Sequence, residues 1–221
     1  MYSLRTLDFQ GYRQEAVPNL FFQQDEPAEQ AALVLPGRGY SCQGPVLSYP
    51  RLELLARGMD VLCVEYTQHT GFSSLADQEL LRCSIADAEA AYRALMSQRA
   101  YQRIALVGKS LGTMVMARLL TTLSLSEPVL TAWLTPVLNF ERVRTQMKEI
   151  PGPTFIAIGT ADPYYNPAQV ADIQAAIDDR GKVLVIEQAN HSLEIGTDAL
   201  RSLQAMEEMI HAFQTVLDKW L

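Results

Sequence analysis

Short runs of consecutive apolar residues recur along the chain, and most are followed by a longer stretch in which apolar positions return every three or four residues. The runs Ala31–Leu35, Val61–Tyr66, Ile104–Gly108, Val129–Leu134, Thr154–Gly159 and Val183–Glu187 have the length of strands, and several are apolar almost without interruption. Such runs suit strands covered on both faces, as in a parallel sheet sandwiched by helices. Between them the spacing predicts helices over about Leu47–Arg57, Ala76–Gln98 and Ser110–Leu123, and another beginning near Pro167. From Asp198 onward, Ala199, Leu203, Met206, Ile210, Phe213, Leu217 and Trp220 make one stripe. That stripe is read as a terminal helix lying on the sheet rather than as a coiled coil. The segments Ser3–Phe9 and Val17–Gln23 alternate polar with apolar and lie close together, which predicts an antiparallel edge. The fold class is therefore α/β, with a mostly parallel sheet.

Composition narrows the partners. A chain of 221 residues, 48% hydrophobic and 19% charged, has the length and balance of a single globular domain, residues 1–221, and it carries no repeat, linker or low-complexity tract. A net charge of -7 without a basic patch argues against nucleic acid or an anionic membrane, and leaves a small neutral molecule as the expected partner. The start Met1-Tyr2-Ser3-Leu4-Arg5 lacks the basic and then apolar regions of a secretion signal, so a cytoplasmic address is expected. Cys42, Cys63 and Cys83 are odd in number and show no paired ligand spacing, so they are read as buried thiols, and neither a disulfide framework nor a zinc or other metal site is expected of them.

The chemistry concentrates at Gly108-Lys109-Ser110-Leu111-Gly112, between the apolar run ending at Val107 and a helical pattern. This is the arrangement of a nucleophile elbow, where a serine sits on a tight strand-to-helix turn and the flanking glycines avoid collisions. A phosphate-binding loop would need a glycine five positions before Gly108, where Arg103 stands. A serine hydroxyl needs a base oriented by a carboxylate. Among His69, His191 and His211, only His191 lies on a loop after the last strand, in Gln188-Ala189-Asn190-His191-Ser192. The carboxylate expected between serine and histidine is Asp162 in Gly159-Thr160-Ala161-Asp162-Pro163, with Glu187 as the alternative. An oxyanion needs two backbone N–H donors. Leu111 supplies one; the turn Leu35-Pro36-Gly37-Arg38-Gly39-Tyr40 supplies the other from Arg38, with Gly39 and Tyr40 as competitors.

Together these residues resemble the α/β-hydrolase family over about residues 29–221. The resemblance implies a sheet of about eight strands, cofactor-free serine hydrolase chemistry and a pocket above the C-terminal strand edge. Two positions depart from a common pattern: Pro36-Gly37 stands where many members have His-Gly, and Thr113 where many have a glycine. In the family a lid is often inserted after the sixth strand, but only nineteen residues, Thr135 to Pro153, separate the neighbouring strands here. An open pocket without a substantial cap is expected, its mouth lined by Tyr40, His69, Phe72, Tyr164 and Tyr165. The expected activity is cleavage of carboxylic esters or thioesters of small acyl groups. A peptidase or carbon-carbon hydrolase would use the same trio, and a non-catalytic binding protein is the opposing class, since fold alone does not fix chemistry.

Overall fold

In the computed structural model, which describes residues 1–69, 71–123 and 128–221, the apolar runs pair into one eight-stranded sheet. Its strands are β1 (Tyr2–Arg5), β2 (Asn19–Gln24), β3 (Gln30–Leu35), β4 (Asp60–Val64), β5 (Arg103–Lys109), β6 (Val129–Leu134), β7 (Thr154–Gly159) and β8 (Gly181–Ile186). They lie in the order β1-β2-β4-β3-β5-β6-β7-β8. The first two run antiparallel, as their alternation predicts, and every pair from β4 to β8 is parallel. The helices among the described residues are α1 (Pro45–Ala56), α2 (Asp77–Met96), α3 (Leu111–Thr122), α4 (Glu141–Glu149), α5 (Pro167–Ile177) and α6 (Ala199–Trp220).

Strand period explains the two cores. In β3, Leu33 and Leu35 enter a core shared with α2, α3, α4 and α5, while Ala32 and Val34 enter one shared with α1 and α6. In β5, Ile104 and Leu106 face the first core, and Ala105 and Val107 the second. All of these are at most 1% exposed, which is why the sequence shows runs rather than alternation.

Four expectations need adjustment. The strand read as Val61–Tyr66 is Asp60–Val64; Tyr66 instead opens a short 3-10 turn, Tyr66–Gln68, and its buried hydroxyl donates to the Pro36 carbonyl. The edge strands are shorter than Ser3–Phe9 and shifted from Val17–Gln23. Along α6 the buried face runs through Ala205, Met206, Met209, Ala212, Phe213, Val216, Leu217 and Trp220, while Leu203 is 61% exposed and Ala199 also faces out. Finally, α4 lies inside the nineteen-residue connection. Its only buried residues are Val143 and Met147, a single i, i+4 pair among polar neighbours, so no stripe announces it.

Parallel pairing brings the C-terminal strand ends to one edge. Leu35 pairs with Gly108, Lys109 with Leu134, and Gly159 with Ile186. The turns after β3, β5, β7 and β8 therefore emerge together, and they carry the residues described next.

Candidate active site

The elbow is built by backbone constraint. Ser110 lies between the end of β5 and the start of α3 with φ 51° and ψ -116°, a strained conformation for a non-glycine residue. Its N–H donates to the Leu134 carbonyl at 3.1 Å. Thr113 fixes the first helical turn: its hydroxyl donates to the Ser110 carbonyl at 2.6 Å and accepts the Val137 N–H at 3.3 Å. That double role gives a physical reason for a threonine where many family members carry glycine. Gly112 has no such latitude, because a Cβ there would stand 2.1 Å from the Leu35 carbonyl oxygen, which is strand backbone. Gly112→Ala must push α3 off β3, and overpacking of this kind costs about 3 kcal/mol. The expected result is a urea midpoint lowered accordingly; an unchanged midpoint would refute the close packing of elbow against β3.

His191 bridges the loops. Its Nε2 is 2.7 Å from Ser110 Oγ and its Nδ1 is 2.8 Å from Asp162 Oδ2. The tautomer that suits both bonds carries its proton on Nδ1, donating to the carboxylate and accepting from the serine. The Asp162 side chain is fully buried, and its other oxygen accepts the Tyr164 N–H at 2.9 Å. The loop carrying His191 is held by main chain: Ala161 N–H reaches the Ala189 carbonyl at 3.0 Å, and Asn190 N–H the Glu194 carbonyl at 2.8 Å. The Asn190 side chain accepts the N–H groups of Ser192 and Glu194. The Tyr164 ring meets the imidazole edge-on at 5.3 Å between centroids. Glu187 is exposed and accepts the Thr160 hydroxyl at 3.1 Å, so it is not the carboxylate beside the histidine.

The turn after β3 closes on the serine. A Cβ at Gly37 would lie 3.1 Å from Ser110 Cβ, a tight contact that a larger residue could make only with a shift of a few tenths of an ångström. The Tyr40 N–H is bonded to the Gly37 carbonyl at 3.2 Å, whereas neither the Arg38 nor the Gly39 N–H has a hydrogen-bond partner among the described residues. Leu111, first in α3, has no intrahelical partner for its own N–H. From below, Glu65 accepts the Ser41 hydroxyl at 2.9 Å and the Cys42 N–H at 3.0 Å, and burial pushes its carboxyl pKa up. Glu65 and Tyr66 thus brace the turn after β3. Both went unread in the sequence, where they pass for the end of a strand.

A cavity of about 480 Å³ opens beside Ser110, walled by Leu80, Leu81, Leu111, Met114, Val137 and Phe140 and rimmed by Arg38, Asp77 and Tyr164. Of the five aromatic or histidine residues expected at the mouth, Tyr164 alone is there. Tyr165 packs against the core beneath. The Tyr40 hydroxyl accepts the Val46 N–H at 3.1 Å, and its ring faces a separate cavity near α6. Phe72 is buried against Tyr66, with centroids 5.6 Å apart. His69 points inward, its Nε2 2.8 Å from Asp87 Oδ2. His69 and Phe72 are turned to the core by their contacts with Asp87 and Tyr66, and Tyr40 by its bond to Val46.

His69, Cys83 and Asp87 are the one group of donor atoms among the described residues that could surround a metal ion, all within 4.8 Å. The His69 to Asp87 separation is shorter than the roughly 3.3 Å between two ligands held tetrahedrally at about 2.0 Å. Cys83 Sγ is 3.6 Å from the same carboxylate oxygen, and burial pushes its pKa up to about 12, so the thiol stays protonated. The cluster reads as a hydrogen-bonded chain that anchors α2 to the loop after β4. No helix among the described residues is long and apolar enough to cross a membrane.

Residues 31–219 match the model of a family described as alpha/beta hydrolase domain. No curated protein matches the chain. Among solved structures, a serine hydrolase without lid from Xanthomonas campestris is 17% identical, covering 100% of this chain and 95% of that one, with a TM-score of 0.72. The esterase Pf2001 from Pyrococcus furiosus is 16% identical over 99% of this chain and 93% of its own, at a TM-score of 0.71. A serine hydrolase homologue from Coxiella burnetii is 14% identical, covering 96% of both chains, at 0.67. At such identities the likeness concerns the fold.

Proposed function

Because this chain belongs to the α/β-hydrolase family, we propose that it is a serine hydrolase cleaving carboxylic esters or thioesters of small acyl groups. The observation that carries the reading is the continuous path from Ser110 Oγ through the two ring nitrogens of His191 to Asp162, with both links under 3 Å and the serine facing an open cavity. In this reading His191 Nε2 takes the hydroxyl proton as Ser110 Oγ attacks the acyl carbonyl, forming a tetrahedral adduct. The Arg38 and Leu111 N–H groups receive its negative oxygen. Collapse expels the alcohol or thiol, protonated by His191, and leaves an acyl-enzyme. Water, deprotonated by the same imidazole, then attacks the acyl carbonyl and releases the acid. An acyl-transfer trio with no cofactor in any step favours this over a binding protein.

A fluorophosphonate probe tests the reading directly: it is expected to label the protein at one site, with the adduct on Ser110 by peptide mass spectrometry. A protein that stays unlabelled and hydrolyses no ester would overturn it.

Acyl length gives a second measurement. The cavity is open and, among the described residues, no insertion covers it, so each added methylene gains less than the roughly 0.8 kcal/mol of full burial. The kcat/KM for p-nitrophenyl esters is expected to rise from acetate to butyrate by less than about fourfold per methylene, and to level off before palmitate. A steady climb to palmitate would require a deep apolar tunnel and would sink the open-cavity argument.

A further inference from the structure

We propose that Lys109, beside the serine in sequence, is a positioning residue for His191, holding the histidine loop through a buried ammonium. This rests on the hydrolase reading above, in which His191 moves the proton. Lys109 ends β5, and the pleat turns its side chain to the opposite face from the α3 core. It is 2% exposed, although lysine is among the residue types least often buried. Its Nζ donates to the His191 main-chain carbonyl at 3.0 Å and stands 4.4 Å from the centroid of the Tyr40 ring. Tyr40 is in turn held by the Val46 N–H at the start of α1.

One ammonium therefore joins three loops: the elbow, the turn after β3 and the loop after β8. No carboxylate lies within ion-pair distance of it among the described residues, so a salt bridge does not account for its burial. What it reaches is the backbone of the one residue whose ring must touch both Ser110 and Asp162. Charge-assisted bonds to a carbonyl are shorter and roughly twice as strong as neutral ones. A shift of about 1 Å in the ring costs on the order of 10²-fold in rate.

The environment makes this clamp titrate in a useful range. Burial lowers the Lys109 pKa to about 8, against the opposing pull of the Asp162 carboxylate. The other groups facing it are His191 itself, Tyr40, whose phenol is pushed up by burial, and Glu194, whose charge acts on Tyr40. As pH rises through about 8 the ammonium loses its charge, the carbonyl loses its strongest donor, and turnover falls. Stability moves the other way. The folded pKa lies below the ordinary lysine value of about 10.4, so between the two the unfolded chain binds more protons, and this group's contribution to stability rises with pH.

The test measures kcat and KM for p-nitrophenyl butyrate from pH 6 to 9.5 in the wild type, Lys109→Met and Lys109→Arg, with fluorophosphonate labelling of each. Lys109→Met is expected to lower kcat about 10- to 100-fold with KM changed less than about threefold, and to lose the alkaline fall. Lys109→Arg keeps a fixed charge, and whatever activity it retains should persist through pH 9.5; it carries the test should the methionine variant not fold. A wild type that labels and turns over, with Lys109→Met matching it in kcat and pH profile, or Lys109→Arg showing the same alkaline fall, would overturn the positioning role alone. A wild type that neither labels nor hydrolyses would overturn the hydrolase reading, and this role with it.

Discussion

Ser110→Ala is expected to lower kcat for p-nitrophenyl butyrate by on the order of 10⁶ and to abolish fluorophosphonate labelling, because the members of such a trio act as a unit. The fold should be retained. What shapes the elbow is the main chain: the Ser110 N–H bond to Leu134, the Ser110 carbonyl received by Thr113, and the close approach of Gly112 to Leu35. None of these uses the serine hydroxyl. Alanine must adopt the same positive φ, but serine already bears that strain, so the change in melting temperature should be small beside the loss of rate. Residual turnover within tenfold of wild type would remove Ser110 as nucleophile. It would also leave the 2.7 Å contact with His191 without a chemical purpose.

The elbow was legible in the sequence because its requirements are local. A strand must end, a helix must begin, and two glycines must flank the serine where backbone meets backbone; all are visible within nine residues. Asp162 and His191 were found by chain order and by their place after strands, and parallel pairing then delivers those loops to one edge. The cavity walls were not legible. His69 and Phe72 follow a strand as Tyr164 does, yet Asp87 and Tyr66 draw them inward, contacts made across the chain rather than along it. The role of Lys109 is hidden in the sequence for the same reason. Its partner is the carbonyl of His191, 82 residues on, and a run of amino acids gives no sign of which backbone oxygen a lysine will reach. Helix α4 was missed because its amphipathic signal is two residues wide.

The same geometry makes Asp162→Asn the sharpest test of roles within the trio. Asp162 Oδ1 is pinned by the Tyr164 N–H, so an asparagine replacing it keeps its carbonyl oxygen there and turns its amide nitrogen towards His191. That nitrogen can only donate. To receive it, Nδ1 must give up its proton, which places the ring proton on Nε2, facing Ser110. A nitrogen that already carries a proton cannot take one from the hydroxyl. The expected kcat is lower by on the order of 10⁴ at neutral pH, with KM little changed and the fold intact, since both hydrogen-bonding positions remain filled. Glu187→Gln is the matched control. Its carboxylate is exposed and bonds Thr160, so the variant should hydrolyse p-nitrophenyl butyrate within about twofold of wild type, as expected of a surface substitution. Near-normal turnover in Asp162→Asn, with a collapse in Glu187→Gln, would move the orienting role to Glu187. It would also mean that the loop after β8 rearranges during catalysis, because among the described residues Asp162 is the one carboxylate in contact with the imidazole.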